Sequence, residues 1–203
     1  MKALTLAVPK GRLFDAVSAY LAEKGLSVRF ENRQLSAVDA SGRLEIYQVK
    51  NKDLPTYVHH GIAGLGIVGD DTIAESGLSF VQVATLPLGA TRLCLAAPKG
   101  TALPMGRSAA VATSYVRQTR QWFHQRGIPV KIIRLAGSVE LAPALGLADY
   151  IIDLVETGST LAANGLEIIT TMKDIKVRLI ANPAYFKLNY GAIEELAHTL
   201  GYL

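Results

Sequence analysis

Short apolar runs of strand length alternate with helix-period segments along almost all of this 203-residue chain, which restricts it to an α/β fold with sheet packed between helices. Leu4–Val8 reads as a buried strand, Pro9-Lys10-Gly11-Arg12 as a turn, and Leu13, Val17, Tyr20 and Leu21 as one face of a helix that Gly25 stops. Strand-prone runs follow at Ser27–Arg33 and Arg43–Val49, with the turn Asp39-Ala40-Ser41-Gly42 between them. Asp53 is placed to cap a short helix that tolerates Pro55 in its first turn. Gly64–Gly69 (GLGIVG) has the make-up of a buried strand, Asp70 and Asp71 open a helix, and Gly77 closes it.

Two longer strand candidates, Ser79–Leu86 and Arg92–Ala97, are joined through Pro87-Leu88-Gly89, and the small-residue stretch Pro98–Arg107 reads as loop. The alternation then restarts with strand Ala109–Thr113, helix Ser114–Arg126 ended by Gly127, strand Val130–Leu135, helix from Ser138, strand Tyr150–Val155 and helix from about Thr160. Glu167–Ala181 reads as a hairpin broken at Asp174, Asn182-Pro183 punctuates the chain, and Ile193, Leu196, Ala197 and Leu200 give the last helix an apolar face. The pattern describes two lobes of similar make-up joined within Thr85–Leu93, with the closing helix expected to return to the first.

Half of the residues are apolar and 19% are charged, enough for a substantial core and too little charge for disorder. No apolar stretch approaches the roughly 18–20 residues that span a bilayer, and the opening MKALTLAVPKGR lacks a signal peptide's apolar region, so a cytoplasmic protein without a membrane partner is expected. The single Cys94 permits no internal disulfide, and the four histidines show no transition-metal spacing. The net charge of +4 comes from residues 1–52, which hold nine basic and five acidic side chains, while the remaining residues hold twelve of each. No basic run with interleaved aromatics marks a nucleic-acid binder, and a local basic set facing a small anion fits better.

The most informative segment is Tyr150–Leu161, YIIDLVETGSTL. An apolar strand ends in Asp153 and Glu156, and Thr157-Gly158-Ser159-Thr160 makes a hydroxyl-rich turn into a helix. Gly158 permits close backbone approach, amides and three hydroxyls donate, and a helix N-terminus carries partial positive charge, so the turn can cradle a phosphate. The two carboxylates suit ribose hydroxyls or a Mg²⁺ on the ligand. A plain helix N-cap beside a strand-end acid is the alternative. No Walker loop occurs in the chain.

The stretch Glu140, Gly146, Ala148, Ile151, Asp153, Leu154, Thr157, Gly158, Thr160 and Leu161 resembles the signature of the short-form ATP phosphoribosyltransferases of histidine biosynthesis, and LAVPKGRL, DLPTYVHHGIAGLGIVGDD and VRLIANPAYFKL resemble further blocks of that family in the same order. The resemblance implies attack of adenine N1 of ATP on the anomeric carbon of 5-phosphoribosyl 1-diphosphate, with Mg²⁺ carried by the substrate phosphates rather than by a metal site of the chain. It implies a homodimer working in a hetero-octamer with a separate regulatory subunit related to histidyl-tRNA synthetase, since 203 residues leave no room for the long form's regulatory domain. The implied fold is two α/β lobes of mixed sheet flanked by helices, like a type II periplasmic binding protein, with substrates in the cleft between the lobes. Lobe I, basic and polyphosphate-facing, spans residues 1–88 and is joined by 182–203; lobe II, which binds the phosphoribosyl group, spans 89–181.

In such an enzyme catalysis rests on positioning and on stabilising the departing pyrophosphate. By the resemblance, Lys10, Arg33 and Lys50 are the catalytic cations, and Gly11, Arg12, Asp71, Asp153, Glu156, Thr157, Gly158, Ser159 and Thr160 bind substrate. Gly69 is a second glycine for close approach to adenosine. Asp71 is read equally as a cap of the helix it opens, and Glu140 as a ligand contact or a helix-start acid. Two positions depart from the family: Lys50 stands where Arg is usual, and Gly64 where an acid commonly precedes LGIVG. A non-catalytic two-lobed module that binds a small ligand is the competing reading.

Overall fold

The computed structural model describes residues 3–31 and 34–202. The chain divides into two compact units, Met1–Gly89 with Lys176–Leu203, and Ala90–Ile175. The C-terminal segment thus belongs to the first unit, which takes in Lys176–Ala181 as well.

In the first unit the strands run β2(Ser36–Val38)-β3(Leu44–Val49)-β1(Leu4–Pro9)-β4(Leu65–Gly69)-β9(Leu166–Ala181). β1 pairs in parallel with β3 and β4, while β2 and β9 are antiparallel to their neighbours. Every residue of β4 is buried, as a strand covered on both faces requires. One face packs Leu4, Leu6, Leu44, Ile46, Leu65 and Ile67 against Val17 and Leu21 of α1(Arg12–Glu23) and Ile193, Leu196 and Leu200 of the closing helix region, so the last helix does pack on the N-terminal strands. The other face packs Ala7, Val68 and Ile180 against Leu54 and Val58 of α2(Leu54–His59). A Cβ on Gly66 would stand 2.8 Å from both Leu54 and Val58, so this glycine sets how closely α2 approaches β4. α3(Asp70–Ser76) follows β4 and ends at Gly77 in the left-handed region.

In the second unit the order is β5(Val81–Pro98)-β8(Tyr150–Val155)-β6(Ala109–Thr113)-β7(Val130–Arg134), with β6 parallel to both β7 and β8 and β5 antiparallel to β8. Trp122 and Phe123 of α4(Val116–Gln125) cover one face of this sheet. Ala142 of α5(Leu141–Ala144) and Leu161 of α6(Ser159–Ala163) cover the other. Cys94 is buried there as a small apolar residue.

Several expectations are corrected. Ser27–Glu31 forms no ladder; the edge strand is Ser36–Val38 instead. The two segments expected on either side of Pro87-Leu88-Gly89 are one 18-residue strand, β5, in which Gly89 takes φ +72°. Glu167–Ala181 is not a hairpin but one strand, because Met172-Lys173-Asp174-Ile175 lacks the Asn-Gly or Gly-X pair that a tight reversal demands. Asn182-Pro183 opens a further helix, α7(Pro183–Leu188), with the Asn182 carboxamide oxygen accepting from Ala184 and Tyr185 amides at 3.0 and 3.1 Å; α8(Tyr190–Thr199) closes the fold. Ser138 begins no helix: it is the one non-glycine with positive φ, +49°, among the described residues, and α5 starts at Leu141.

Candidate functional site

In each unit candidate residues read from the sequence gather where the parallel strands end, the edge at which open α/β sheets take their ligands. In the first unit β3, β1 and β4 end in Val49, Pro9 and Gly69. Pro9 is in register with Val49, and the Lys10 amide donates to the Val49 carbonyl at 2.9 Å, which sets Lys10 and Lys50 side by side. Both are exposed, as is Arg12 at the start of α1. Gly11 between them has φ +94°, and a Cβ there would meet nothing within 4 Å, so backbone conformation alone demands glycine and the space above stays open. Arg33, expected as a third cation, lies outside the described residues.

Asp71 is 2% exposed, and its neighbour Thr72 is 6% exposed. The Thr72 hydroxyl donates to Asp71 Oδ2 at 3.2 Å and accepts from the Asn51 amide at 3.0 Å. Asp71 therefore faces into the protein, and the cap of α3 is Gly69, whose φ of −66° uses none of glycine's special freedom. Asp70 turns to β9: its carboxylate is 3.8 Å from the Arg178 guanidinium, which also donates to the Thr85 hydroxyl. Asp53 occupies the N-cap position of α2 without a side-chain cap bond, and Glu140 does the same at α5.

In the second unit β8 delivers the phosphate-cradle sequence. Asp153 is half-buried, its Oδ1 accepting the Leu154 amide at 2.9 Å, and Glu156 is exposed just past the strand. Gly158 takes φ +83°, ψ 2°, a left-handed conformation that turns the chain into α6. The Thr157 and Ser159 hydroxyls stand 3.0 Å apart, and Thr157 Oγ1 lies 3.4 Å from the Ser159 amide. The Ala162 amide reaches the Gly158 carbonyl at 3.0 Å, and the earlier amides of the turn are left by helix geometry without an intrahelical acceptor. Carboxylates, hydroxyls and amides thus share one strand-to-helix turn. Among the described residues no group of three His, Cys, Asp or Glu side chains is arranged to hold a metal.

The structure gathers Lys10, Gly11, Arg12 and Lys50 at one edge of the first unit, and Asp153 through Thr160 at one edge of the second. Residue-by-residue reading missed Asn51 and Thr72, and in the second unit Thr113, whose buried hydroxyl bonds the Ile152 carbonyl at 2.7 Å beside the cradle strand. The signal for these lies in topology: Thr113 ends the parallel strand β6, and Asn51 and Thr72 follow the ends of β3 and β4 by two and three residues.

Residues 50–201 match the sequence model of the family described as ATP phosphoribosyltransferase. The chain is similar to the ATP phosphoribosyltransferase of Methylococcus capsulatus, at 40% identity covering 96% of this chain and 92% of the relative, and to that of Clostridium acetobutylicum, at 40% identity covering 96% and 93%. Among solved structures it is similar to a chain of the ATP phosphoribosyl transferase (HisG:HisZ) complex from Thermotoga maritima, with TM-score 0.86 and 34% identity over 98% of this chain and 96% of that one. The alkanesulfonate-binding protein SsuA from Xanthomonas axonopodis pv. citri shares the fold at TM-score 0.61 and 14% identity, covering 98% and 72%.

Proposed function

The chain belongs to the ATP phosphoribosyltransferase family, and we propose that its two units supply complementary ligand sets for one reaction, transfer of the phosphoribosyl group of 5-phosphoribosyl 1-diphosphate to adenine N1 of ATP. This reaction is the first step of histidine biosynthesis. The N1 lone pair forms the new bond to the anomeric carbon as the bond to the diphosphate oxygen breaks, and pyrophosphate leaves with that electron pair. The observation that carries the residue assignment is the turn after β8, where Asp153 and Glu156 precede a left-handed glycine set among three hydroxyls.

In this reading the amides and hydroxyls of Thr157, Gly158, Ser159 and Thr160 hold the 5-phosphate, and Asp153 and Glu156 accept from the ribose hydroxyls. Lys10, Arg12 and Lys50 stabilise polyphosphate charge, which grows on the leaving group as the bond breaks, and Gly11 lets the nucleotide approach the backbone. Arg33 keeps the role that the family resemblance implies. Asp71, buried as it is, serves from beneath the surface rather than at the ligand.

Mg²⁺ fits the same reading, because phosphate and carboxylate oxygens are the hard ligands this ion takes. The substrate phosphates would carry it and it would neutralise the diphosphate, while Asp153 and Glu156 keep to the ribose hydroxyls. The Thermotoga maritima relative was solved as a HisG:HisZ complex, which supports a separate regulatory subunit here, related to histidyl-tRNA synthetase, in a hetero-octamer built on a homodimer of this chain. Among the described residues no helix is long and apolar enough to cross a membrane, and a biosynthetic role supports a cytoplasmic location.

The test mixes the chain with ATP, 5-phosphoribosyl 1-diphosphate, Mg²⁺ and pyrophosphatase, with and without the regulatory subunit, and follows the absorbance change on N1 substitution. Product formation is expected, and its absence under every condition overturns the reading. Asp153→Asn and Thr160→Ala are expected to raise the KM for the phosphoribosyl donor by about tenfold or more while the melting temperature changes little. Equal loss of binding and folding would assign the turn a structural role alone.

A further inference from the structure

We propose that Asn51 and Thr72 are positioning residues for the reaction: a hydrogen-bond relay, Asn51 to Thr72 to Asp71, fixes the turn that carries Lys50. The inference rests on the assignment of Lys50 to the substrate's polyphosphate.

β3 and β4 are not neighbours, because β1 lies between them. Their ends are therefore about 10 Å apart at the usual strand spacing, and no ladder joins the turn after β3 to the helix after β4. The relay does. The Asn51 amide donates to Thr72 Oγ1 at 3.0 Å, and the Thr72 hydroxyl donates onward to Asp71 Oδ2 at 3.2 Å. A carboxylate only accepts, so the buried Asp71 sets the direction: Thr72 spends its one proton on Asp71, which leaves its oxygen to accept from Asn51.

Asn51 is the corner of the turn. The Lys50 carbonyl accepts the Asp53 and Leu54 amides at 2.9 and 3.1 Å, so the backbone from Lys50 to Leu54 closes on itself, and holding Asn51 holds the base of the Lys50 side chain. That matters for a lysine more than for an arginine. An ammonium on a four-carbon stem lacks the planar fork that aligns a guanidinium on phosphate, so the placement of its base must supply the alignment. The cost of the arrangement is visible, since Asn51 Oδ1 is buried and has no hydrogen-bond partner among the described residues. A leucine or valine at position 51 would avoid that orphaned acceptor but would break the relay.

The test compares steady-state kinetics and melting temperatures of Thr72→Val, Thr72→Ser, Asn51→Ala, Lys50→Ala and the double variant Lys50→Ala/Thr72→Val, each assayed as the full chain with the regulatory subunit. Thr72→Val and Asn51→Ala are expected to raise the KM of the same substrate that Lys50→Ala affects, by about fivefold or more, with kcat changed about twofold or less. Thr72→Ser, which restores the hydroxyl, returns KM to within about twofold of the parent. In the Lys50→Ala background Thr72→Val adds almost nothing, because contacts acting through one group are non-additive. If Lys50→Ala raises KM while Thr72→Val and Asn51→Ala are silent, additive with it, or shift only the melting temperature, the relay is structural and the proposal falls alone. If Lys50→Ala changes neither constant, the assignment of Lys50 fails and takes the proposal with it.

Discussion

Asp39 is 3% exposed and closes the turn before β3, its carboxylate accepting the amides of Ser41 and Leu44 at 2.8 and 2.6 Å and the Ser41 hydroxyl. Burial by itself pushes this carboxyl up, but the hydrogen bonds from Ser41, Leu44 and Arg43 outweigh it and hold the group below its ordinary value. A depressed carboxyl contributes stability that is fully present above its unfolded value near 4 and is lost as pH falls through the folded one. Urea melts are therefore expected to show Asp39→Ala less stable by about 1–3 kcal/mol at pH 7, with the difference from the parent shrinking below about pH 4. Gly64 makes a second residue-scale case. A Cβ there would stand 2.2 Å from the Tyr185 ring, which is fixed because its hydroxyl accepts the Thr5 amide at 3.1 Å. Gly64→Ala is expected to destabilise by about 2–3 kcal/mol, and the same change in a Tyr185→Ala background by far less, as a double-mutant cycle of melts would read. The Asp39–Gly42 turn was legible in the sequence because its residues signal locally. Gly64 was visible only as a departure from a family pattern, since its reason is an aromatic ring more than a hundred residues away.

At the scale of elements, period and punctuation placed most of the fold. The strands at Leu4–Pro9, Leu44–Val49, Leu65–Gly69, Ala109–Thr113 and Tyr150–Val155 follow apolar runs bounded by turn residues, and α1 follows its buried positions Val17 and Leu21. Reading faltered where propensity and tertiary pairing compete. Ser27–Glu31 has strand composition but joins no ladder, and β9 runs on through Asp174 to the part that pairs with β4. The strand-to-helix turn at Asp153–Thr160 was legible because its residues are contiguous, whereas the hydrogen bonds joining positions 51 and 72 across an intervening strand were not. Gly158 offers a test that separates conformation from packing. A Cβ there comes no nearer than 3.8 Å to Val155, an ordinary contact, yet φ is +83°. Gly158→Ala is thus expected to cost about 1 kcal/mol of strain, keep the fold, and raise the donor KM as the turn relaxes away from the left-handed region. Thermal melts and initial rates check the two halves separately.

Across the whole molecule the charge is distributed differently from its first appearance in the sequence. The first unit, expected to be the basic one, carries twelve basic and eleven acidic side chains, and the second carries nine and six. The apparent neutrality of residues 53–203 conceals a block from Lys99 to Val139 with seven basic side chains and no acidic one. The proposed binding of polyphosphate therefore rests on where Lys10, Arg12 and Lys50 stand, not on which unit is basic overall. Part of the second block has a separate physical reason. β7 is the last strand of its sheet, and such an edge offers unpaired backbone groups to a second chain unless something discourages pairing. Its sequence VKIIR carries exposed Lys131 and Arg134, whereas Ile133 and Val130 pack into the cores. In the first unit the edge strand β2 has only three residues and offers little to pair with. Replacing both cations, Lys131→Thr with Arg134→Val, leaves the core untouched but gives β7 a neutral, strand-prone edge. Light scattering is expected to show concentration-dependent association of this variant beyond the parent's assembly, with the melting temperature nearly unchanged. A control that keeps the charge, Lys131→Arg with Arg134→Lys, should behave as the parent. Equal association of both variants would mean that something other than like-charge repulsion protects this edge.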